Sequence, residues 1–334
     1  MAKSKNDPQF MLGIDLGGTK ILAAVVDEQG RILGTAKRKT HAEHGADEVI
    51  NRIANAAEKA VQKAHLDLSM IEAVGIGAPG VADHNTGVLE FAPNLPDWFN
   101  VPVGPRLQKM LGVPVFLEND VNVGTFGEAE AGAGRGYKSV VGVFPGTGIG
   151  GGIVLDGKLW RGARNAAAEI GHMTMMIDGP LCGCGRRGCI EALASRTAIE
   201  RDIWGEIRGG RASIITDLVD PDDPTIRSGV LAEALAAGDA VVTTVMERAG
   251  YHLGVFTGSV VNAIDPGCVI YGGGLIEACG DFLMPLIREH AYRHLLRPVA
   301  PEHLPILVAE LGDNAAVIGS ALLARAAIQE RVDG

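Results

Sequence analysis

Hydrophobic residues near the start of the chain fall into short runs that are separated by turn residues. Phe10–Ile14 and Ile21–Val26 are apolar and flank a glycine-rich turn, and Arg31–Ala36 resumes an extended pattern after a polar turn at 27–30. Short apolar runs bounded by glycine and polar residues are typical of strands. This part of the chain is therefore predicted to form a meander of three strands.

Helical and extended patterns alternate after this meander. Apolar residues recur at helical spacing over residues 46–65, and residues 103–111 have the same character. Ala73–Ala78 and Val113–Leu117 are short apolar runs that predict buried strands. Strands that alternate with helices are typical of an α/β domain.

The order strand, glycine loop, strand, turn, strand then occurs a second time. Ser139–Phe144 is apolar, Gly146–Gly152 is a glycine-rich turn, and Ile153–Leu155 and Lys158–Trp160 are extended. The matching order of elements predicts two similar α/β lobes, and no low-complexity linker separates them.

Two helical stretches and one strand are predicted in the last third of the chain. A helical pattern covers residues 230–264, and a strand at Cys268–Tyr271 leads into a third glycine cluster at Gly272–Gly274. The final helix, over residues 314–330, is rich in alanine, which has the highest intrinsic helix propensity.

Composition and charge narrow the classes of protein. Of the 334 residues, 47% are hydrophobic and 21% are charged, which is typical of a globular protein and excludes a mainly disordered one. The 30 basic and 40 acidic side chains give a net charge of −10, which argues against nucleic acid or an anionic membrane as a partner. No apolar run approaches the roughly 20 residues of a membrane helix. We therefore expect a soluble, cytoplasmic protein with no nucleic-acid or membrane partner.

Each of the three glycine clusters follows a short apolar run, and threonine accompanies two of them, as Thr19 and Thr147. Glycine lets the backbone approach a ligand closely, and successive backbone N–H groups can bind phosphates. For any single cluster a tight hairpin turn is the alternative interpretation. The G-x-G-x-x-G matches at Gly75–Gly80 and Gly146–Gly151 are not dinucleotide fingerprints, because neither opens a helix after its strand.

Carboxylates and amides follow two of the predicted strands. Asp15 ends the first strand, where a divalent cation or its waters could balance a buried carboxylate; a turn-capping aspartate is the alternative. The run Glu-Asn-Asp-Val-Asn at 118–122 follows a buried strand, and Asp120 in it could accept a proton from a substrate hydroxyl. A helix cap or a solvated turn is the alternative for Asp120, and equally for Asn94 in a polar turn. Many carboxylates and amides with few aromatic residues favour a polyhydroxylated ligand.

Three of the five cysteines lie in one short loop, and a histidine precedes them: Cys182, Cys184, Cys189 and His172. Three thiolates and one imidazole suit tetrahedral Zn²⁺, and four protein ligands close the site, which is typical of structural zinc. A chance cluster of free thiols is the alternative. Glu169 and Glu191 flank the loop, so zinc would hold two carboxylates in fixed positions.

Together these motifs resemble the sugar kinases of the ROK family, and the glucokinases among them most. The resemblance runs from about residue 11 to 326. Its most specific part is Glu169-x-Gly171-His172 followed by the pattern C-x-C-G-x-x-G-C-x-E over 182–191. The other matching motifs are Asp15-x-Gly17-Gly18-Thr19-Lys20, Glu118-Asn119-Asp120-x-Asn122 and Gly146-Thr147-Gly148-x-Gly150-x-Gly152.

The resemblance implies an α/β protein with the two-lobed actin-like (ribonuclease H-like) ATPase fold and a cleft between its lobes. It implies one small lobe over 10–118 plus 312–330, and a larger lobe over 119–311 that carries the zinc loop. It also implies a homodimer.

The activity implied by the resemblance is ATP-dependent phosphorylation of the 6-hydroxyl of a hexose, glucose before others, with Mg²⁺ beside ATP and a structural Zn²⁺. Asp120 resembles the catalytic base of the family. The residues that resemble its sugar contacts are Asn94, Asn119, Asp120, Glu169, His172 and Glu191. Those that resemble its ATP-binding residues are Asp15, Gly17, Gly18, Thr19, Lys20, Gly146, Thr147, Gly148, Gly273 and Gly274. The zinc ligands would be His172, Cys182, Cys184 and Cys189.

Other interpretations stay open at this point. The substrate could be N-acetylglucosamine, N-acetylmannosamine or fructose, which differ from glucose by one group or by ring form, and polyphosphate is an alternative donor. A non-catalytic sugar sensor or regulator is the alternative of another class. Repressors of the family carry an N-terminal helix-turn-helix module, for which we expect no space before the first strand. Phe144-Pro145 and Val123-Gly124-Thr125 depart from the family's usual residues.

Overall fold

The computed structural model describes residues 9–92 and 95–333. Its strands are β1 (Phe10–Leu16), β2 (Lys20–Val26), β3 (Ile32–Lys39), β4 (Ile71–Ala78), β5 (Val81–Asp83), β6 (Val88–Phe91), β7 (Phe99–Val101), β8 (Val115–Asn119), β9 (Val140–Pro145), β10 (Ile149–Leu155), β11 (Lys158–Leu159), β12 (Cys268–Tyr271) and β13 (Ile306–Val308). Its α-helices are α1 (Gly45–Lys63), α2 (Val103–Leu111), α3 (Asp120–Ala131), α4 (Ile190–Ala194), α5 (Arg196–Arg208), α6 (Ile215–Leu218), α7 (Ser228–Ala236), α8 (Ala240–Ile264), α9 (Gly274–Arg293) and α10 (Ala315–Asp333).

Two five-stranded sheets share one plan. The first has the order β3-β2-β1-β4-β8, in which β1, β2 and β3 form the predicted antiparallel meander and β4 is parallel to both β1 and β8. The second has the order β11-β10-β9-β12-β13, in which β12 is parallel to both β9 and β13. Each sheet thus consists of three strands consecutive in sequence, followed by two later strands. The prediction of a repeated α/β plan is confirmed.

Contacts divide the chain into two compact units. One comprises the chain up to Lys138, Gly152–Ala167 and the chain from Asp313 onward; the other comprises Ser139–Gly151 and Ala168–Gly312. The lobes predicted from the sequence, 10–118 plus 312–330 and 119–311, differ from these units in two places: the first unit extends past residue 118 to Lys138, and it also includes Gly152–Ala167. The first unit extends beyond residue 118 because α3 packs against α10, which belongs to the same unit.

Glycine lets α10 lie directly against the first sheet and against α3. A Cβ on Gly13 of β1 or on Gly75 of β4 would overlap the backbone of α10. Where α3 crosses α10, a Cβ on Gly319 would overlap the carbonyl of Val123. Any side chain at these glycines would push α10 away from the sheet or from α3. The glycines therefore set the position of α3 relative to the sheet.

The other face of the first sheet is covered by α1. Leu12 and Ile14 alternate with Gly13 along β1, so they point to the face opposite α10. They belong to one buried cluster with Val49 and Ile53 of α1. Helices on both faces of a mixed sheet agree with the α/β class predicted from the sequence.

Three of the differences between the elements and the sequence prediction have a clear physical reason. The predicted glycine turn at 146–152 is shorter, because Gly150–Gly152 belong to β10, where a Cβ on Gly152 would overlap Thr125. The helical stretch predicted over 230–264 is broken, since Gly238 has a left-handed backbone (φ 74°) and Asp239 caps α8 through its side chain. A third sheet, β5-β6-β7, was not predicted, because strands of three or four residues are too short to show alternation.

Among the described residues, no single helix combines the length and apolar character needed to cross a membrane. Taken together, α7 and α8 have enough length and apolar character, but this pair of helices is bent by 117° where they join.

Candidate active site

Three neighbouring strands of the first sheet end side by side. In the parallel pairs β1–β4 and β4–β8, Asp15 lies opposite Gly77, and Gly77 lies opposite Glu118. Strand β8 ends at Asn119, and α3 begins at Asp120. The carboxyl ends of parallel strands meet at one edge, where α/β folds place their ligand sites. The fold thus brings together three predicted site residues from two separate motifs: Asp15, Asn119 and Asp120.

Asp120 is the first residue of α3, and Gly77 lies against this first turn. A Cβ on Gly77 would overlap Cγ2 of Val123, at 2.6 Å. The helix is capped by Asn119, whose Oδ1 accepts hydrogen bonds from the backbone N–H groups of Val121 (2.9 Å) and Asn122 (3.1 Å). The Val121 N–H also donates to Oδ1 of Asp120 (2.9 Å). Asn119, and not Asp120, is therefore the residue that caps α3.

Asn119 and Asn94 are two predicted sugar contacts of this unit, and the structure describes the first of them. Asn119 uses both ends of its amide within the protein, since its Nδ2 donates to the Gly80 carbonyl (3.0 Å) while its Oδ1 caps α3. Its contact with a sugar stays a prediction. Asn94 lies outside the described residues.

Burial raises the pKa of both carboxyl groups at this edge. Part of the Asp120 surface reaches solvent, but protein surrounds most of the side chain, and this desolvation raises its pKa above the ordinary aspartate value. Burial is also the main cause at Asp15, and the charge of Asp120 adds to it, so the pKa of Asp15 rises to about 6 although Lys20 acts in the opposite direction. Two largely buried carboxylates therefore lie close enough to repel each other, and a positive charge beside them would relieve this electrostatic cost.

The turn between β1 and β2 is held by hydrogen bonds from both sides. The Gly17 N–H donates to the Lys20 carbonyl (2.9 Å). Thr40, which follows β3, donates from its hydroxyl to the Gly17 carbonyl (2.6 Å) and from its N–H to the Thr19 carbonyl (3.0 Å). The Nζ of Lys20 lies 3.2 Å from Oδ2 of Asp313. The predicted phosphate turn is thus ordered, and the buried Thr40 is a supporting residue that sequence reasoning missed.

Glu118, which the sequence did not assign to a ligand, is the centre of a buried polar network beside Asp120. Its Oε1 accepts hydrogen bonds from the Asn119 N–H and from Nδ2 of Asn122, each at 3.0 Å. Its Oε2 accepts a charge-assisted bond from Nε of Arg161 at 2.5 Å, and its carboxylate is only 6% exposed. The network holds Asn119 by its backbone and Asn122 by its side chain, one on each side of Asp120.

The second unit places two predicted phosphate loops at the ends of neighbouring strands. β9 and β12 pair in parallel with Val143 opposite Tyr271, so the loops that follow them lie at the same edge of the sheet. Gly273 has a left-handed backbone (φ 81°), which favours glycine, and α9 begins at Gly274. The N–H groups that open α9 therefore lie beside the Gly146–Gly148 loop, an arrangement suited to phosphate oxygens.

Glu191 connects the first of these loops to the cysteine loop. Its Oε2 accepts a hydrogen bond from the Ile149 N–H (3.0 Å), and a Cβ on Gly148 would overlap this carboxylate. Its Oε1 lies 3.4 Å from Sγ of Cys182 and 3.9 Å from Nδ1 of His172. A predicted sugar contact, a phosphate loop and the cysteine loop are therefore adjacent.

The four predicted zinc ligands converge in the second unit. One ligand atom from each of His172, Cys182, Cys184 and Cys189 lies within 4.8 Å of the others. The Sγ of Cys182 lies 3.7 Å from Nδ1 of His172, and Sγ of Cys184 lies 3.7 Å from Sγ of Cys189. The backbone N–H of Arg186 lowers the pKa of Cys184 to about 6, whereas burial raises the pKa of Cys182 to about 12 and that of Cys189 above the ordinary thiol value. This donor set fits tetrahedral Zn²⁺.

The predicted site residues that the structure describes form two groups, one in each unit. The group in the first unit is Asp15, Gly17, Gly18, Thr19, Lys20, Asn119 and Asp120. The group in the second unit is Gly146, Thr147, Gly148, Glu169, His172, Cys182, Cys184, Cys189, Glu191, Gly273 and Gly274.

Comparison with known proteins gives consistent matches over nearly the whole chain. Residues 11–327 match the ROK family. The chain is 36% identical over 328 residues to a glucokinase of Thermotoga maritima, covering 97% of this chain and 98% of that protein. The crystal structure of a ROK hexokinase from Thermus thermophilus is similar with a TM-score of 0.83 at 35% identity, covering 96% of this chain and 100% of that one. A ROK family glucokinase from Streptomyces griseus, in complex with glucose and AMPPNP, has a TM-score of 0.79 at 36% identity, covering 95% and 99%.

Proposed function

The chain belongs to the ROK family, and we propose that it is an ATP-dependent hexokinase that converts glucose to glucose 6-phosphate. The observation that carries the proposal is the position of Asp120, a largely buried carboxylate at the edge where β1, β4 and β8 end beside Asp15. The similarity to a glucokinase, to a ROK hexokinase and to a ROK glucokinase solved with glucose and AMPPNP supports this activity.

Asp120 is the general base of the proposed reaction. Its carboxylate accepts the proton of the sugar 6-hydroxyl as that oxygen bonds to the γ-phosphorus of ATP and the bond to the leaving ADP breaks. Burial raises the pKa of Asp120 and makes it a stronger base than an exposed aspartate. The Glu118–Arg161 network holds Asn119 and Asn122 on either side of Asp120, which matters because small displacements of a reacting group cost large factors in rate.

Each unit has its own segments suited to the phosphates of a nucleotide in this proposal. In the first unit the turn at 17–20 offers backbone N–H groups and Lys20 a positive charge; in the second unit the loops at 146–148 and 273–274 offer backbone N–H groups. Asp15 fits a divalent cation, because it is a half-buried oxygen ligand whose pKa is raised by burial and by a second carboxylate. Mg²⁺ bound with ATP neutralises charge on the transferring phosphoryl group.

The substrate is tested by an ADP-release assay with Mg-ATP and a panel of sugars. The panel contains glucose, mannose, fructose, N-acetylglucosamine and N-acetylmannosamine, and polyphosphate replaces ATP in a parallel series. We expect kcat/KM for glucose to exceed that for the N-acetylhexosamines by about tenfold or more, since a pocket that pairs with hydroxyl groups discriminates against analogues. Highest turnover with an N-acetylhexosamine would reassign the substrate. No turnover with any sugar or donor, in folded protein loaded with zinc, would contradict the kinase and favour a sugar sensor.

We also propose that His172, Cys182, Cys184 and Cys189 hold a structural zinc ion. Protein purified without added metal is expected to contain about one Zn²⁺ per chain, measured by plasma mass spectrometry. The Cys184→Ser variant should lose the zinc and melt several degrees lower, because a structural metal contributes directly to folding. Cys279→Ser, which changes a buried thiol outside the loop, is the matched control and should keep its zinc. A Cys184→Ser protein that retains the metal would contradict the ligand set.

The homodimer and the cytoplasmic location expected from the sequence stay predictions. Light scattering measures the first directly.

A further inference from the structure

A second cluster of side chains suited to metal lies in the first unit, between β3 and α1. His41, Glu43 and His44 each bring one ligand atom within 4.8 Å of the other two. The Oε1 of Glu43 lies 2.9 Å from Nδ1 of His41 and 3.8 Å from Nε2 of His44. The two imidazole rings are stacked, with centroids 5.3 Å apart and planes 7° from parallel. Two ring nitrogens and one carboxylate oxygen therefore converge from one short segment.

The local backbone explains this convergence. His41 has a left-handed conformation (φ 52°, ψ 54°), which few residues other than glycine adopt, and a single 3-10 turn at 42–44 follows it. Residues three apart eclipse one another in a 3-10 turn. His41 precedes this turn and His44 ends it, so the two rings stack while Glu43 reaches both. Because an imidazole nitrogen binds metal in its own ring plane, one of these exposed rings turns when both bind a single ion.

The donor set indicates the class of ion. Two imidazoles and a carboxylate suit Ni²⁺, Cu²⁺ and Zn²⁺, whereas Mg²⁺ and Ca²⁺ prefer oxygen ligands alone. The side chains of His41, Glu43 and His44 are 35%, 65% and 53% exposed. An ion can therefore enter from solvent, and water can complete its coordination.

We propose that His41, Glu43 and His44 form a divalent transition-metal site that is separate from the cysteine loop. Its ligands are harder than thiolates and it is open to solvent, so it binds more weakly than the four-ligand set and exchanges its ion more readily. Binding of the ion to the folded chain alone should raise the melting temperature.

A second pair of histidines, at the end of α9, could also bind such an ion. His290 and His294 lie one helical turn apart, and both rings contact Tyr251 edge-on. Nδ1 of His294 is hydrogen-bonded to the His290 carbonyl (2.7 Å). Within the described ranges, no third His, Cys, Asp or Glu joins this pair in a set of converging ligand atoms. The pair is therefore a matched control with the same two side chains and no carboxylate.

The test uses tag-free, full-length protein whose cysteine loop is saturated with Zn²⁺ and from which loosely bound zinc has been removed. Ni²⁺ is titrated calorimetrically into the wild type, the double variant His41→Ala/His44→Ala, the single variant Glu43→Gln and the double variant His290→Ala/His294→Ala. We expect one Ni²⁺ site in the wild type, about tenfold or greater weakening in the first double variant, an intermediate loss in Glu43→Gln, and no change in the α9 variant.

Circular dichroism without Ni²⁺ checks that each variant is folded. Because the replaced side chains of the His41 cluster are exposed, we expect those variants to fold as the wild type does. Loss of the Ni²⁺ site in His290→Ala/His294→Ala, or equal binding by the wild type and His41→Ala/His44→Ala, would overturn the proposal. Absence of any Ni²⁺ heat in the wild type would overturn it as well.

Discussion

Replacing Asp120 by asparagine is expected to lower kcat by about 10²–10⁴-fold, the usual effect of removing a general base, while hexose binding changes little. An asparagine Oδ1 can still accept the Val121 N–H, and Asn119 still caps α3, so the helix start should keep its structure. The variant loses the basic carboxylate oxygen that accepts the proton. Steady-state kinetics measure kcat, and calorimetry without ATP measures sugar binding.

Two further measurements separate this loss from a general effect of charge. Asp67→Asn makes the same chemical change at an exposed aspartate of the same unit and should leave kcat unchanged. Because burial raises the pKa of Asp120, the acid limb of the wild-type kcat profile should lie above the ordinary aspartate range near pH 4. Near-normal turnover of Asp120→Asn would show that another group takes the proton.

The parts of the site that could be predicted from the sequence are those whose residues are neighbours in the chain. The cysteine loop and the run at 118–122 are contiguous, and the first glycine turn directly follows an apolar run. Their chemistry depends on short-range geometry, such as Asn119 capping the helix that starts at Asp120. The repeated sheet plan was also visible, because strand and glycine-loop signals occur twice in the same order.

The parts that could not be predicted depend on pairing between distant segments. Arg161 and Thr40 are ordinary residues in sequence, and only the fold brings one to Glu118 and the other to the Gly17 carbonyl. The place of α3 in the first unit was missed for a related reason. This helix is buried on most sides and carries no amphipathic pattern, and it is its glycine contact with α10, at Gly319, that decides where it packs.

Asp15→Asn should make the free protein more stable, although it removes a predicted ligand-binding carboxylate. The pKa of Asp15 rises from an ordinary 3.8 to about 6, with burial as the main cause and Asp120 as the second. Ionised Asp15 therefore costs the folded state about 1–3 kcal/mol, since one pKa unit corresponds to about 1.4 kcal/mol. Neutral asparagine does not carry this cost. Urea unfolding of protein free of ATP and Mg²⁺ measures the gain.

The sign of the pH dependence makes this prediction specific. Above about pH 6 the folded wild type holds an ionised Asp15 and carries the full cost. As the pH falls from about 6 towards 4, the folded state binds the proton before the unfolded state does, so the cost disappears. The difference in unfolding free energy between Asp15→Asn and the wild type should therefore be largest near pH 8 and close to zero near pH 4. Asp67→Asn should show no such trend.

The same variant should lose about 10²-fold or more in kcat/KM with Mg-ATP, because the carboxylate proposed to hold the cation is gone. Greater stability with lower activity would mean that Asp15 is retained for its ligand and not for the fold, as strained or desolvated groups at active sites often are. A less stable variant at pH 8 would show that the carboxylate makes favourable contacts in the free protein, against its raised pKa. Full activity would remove Asp15 from the ATP site.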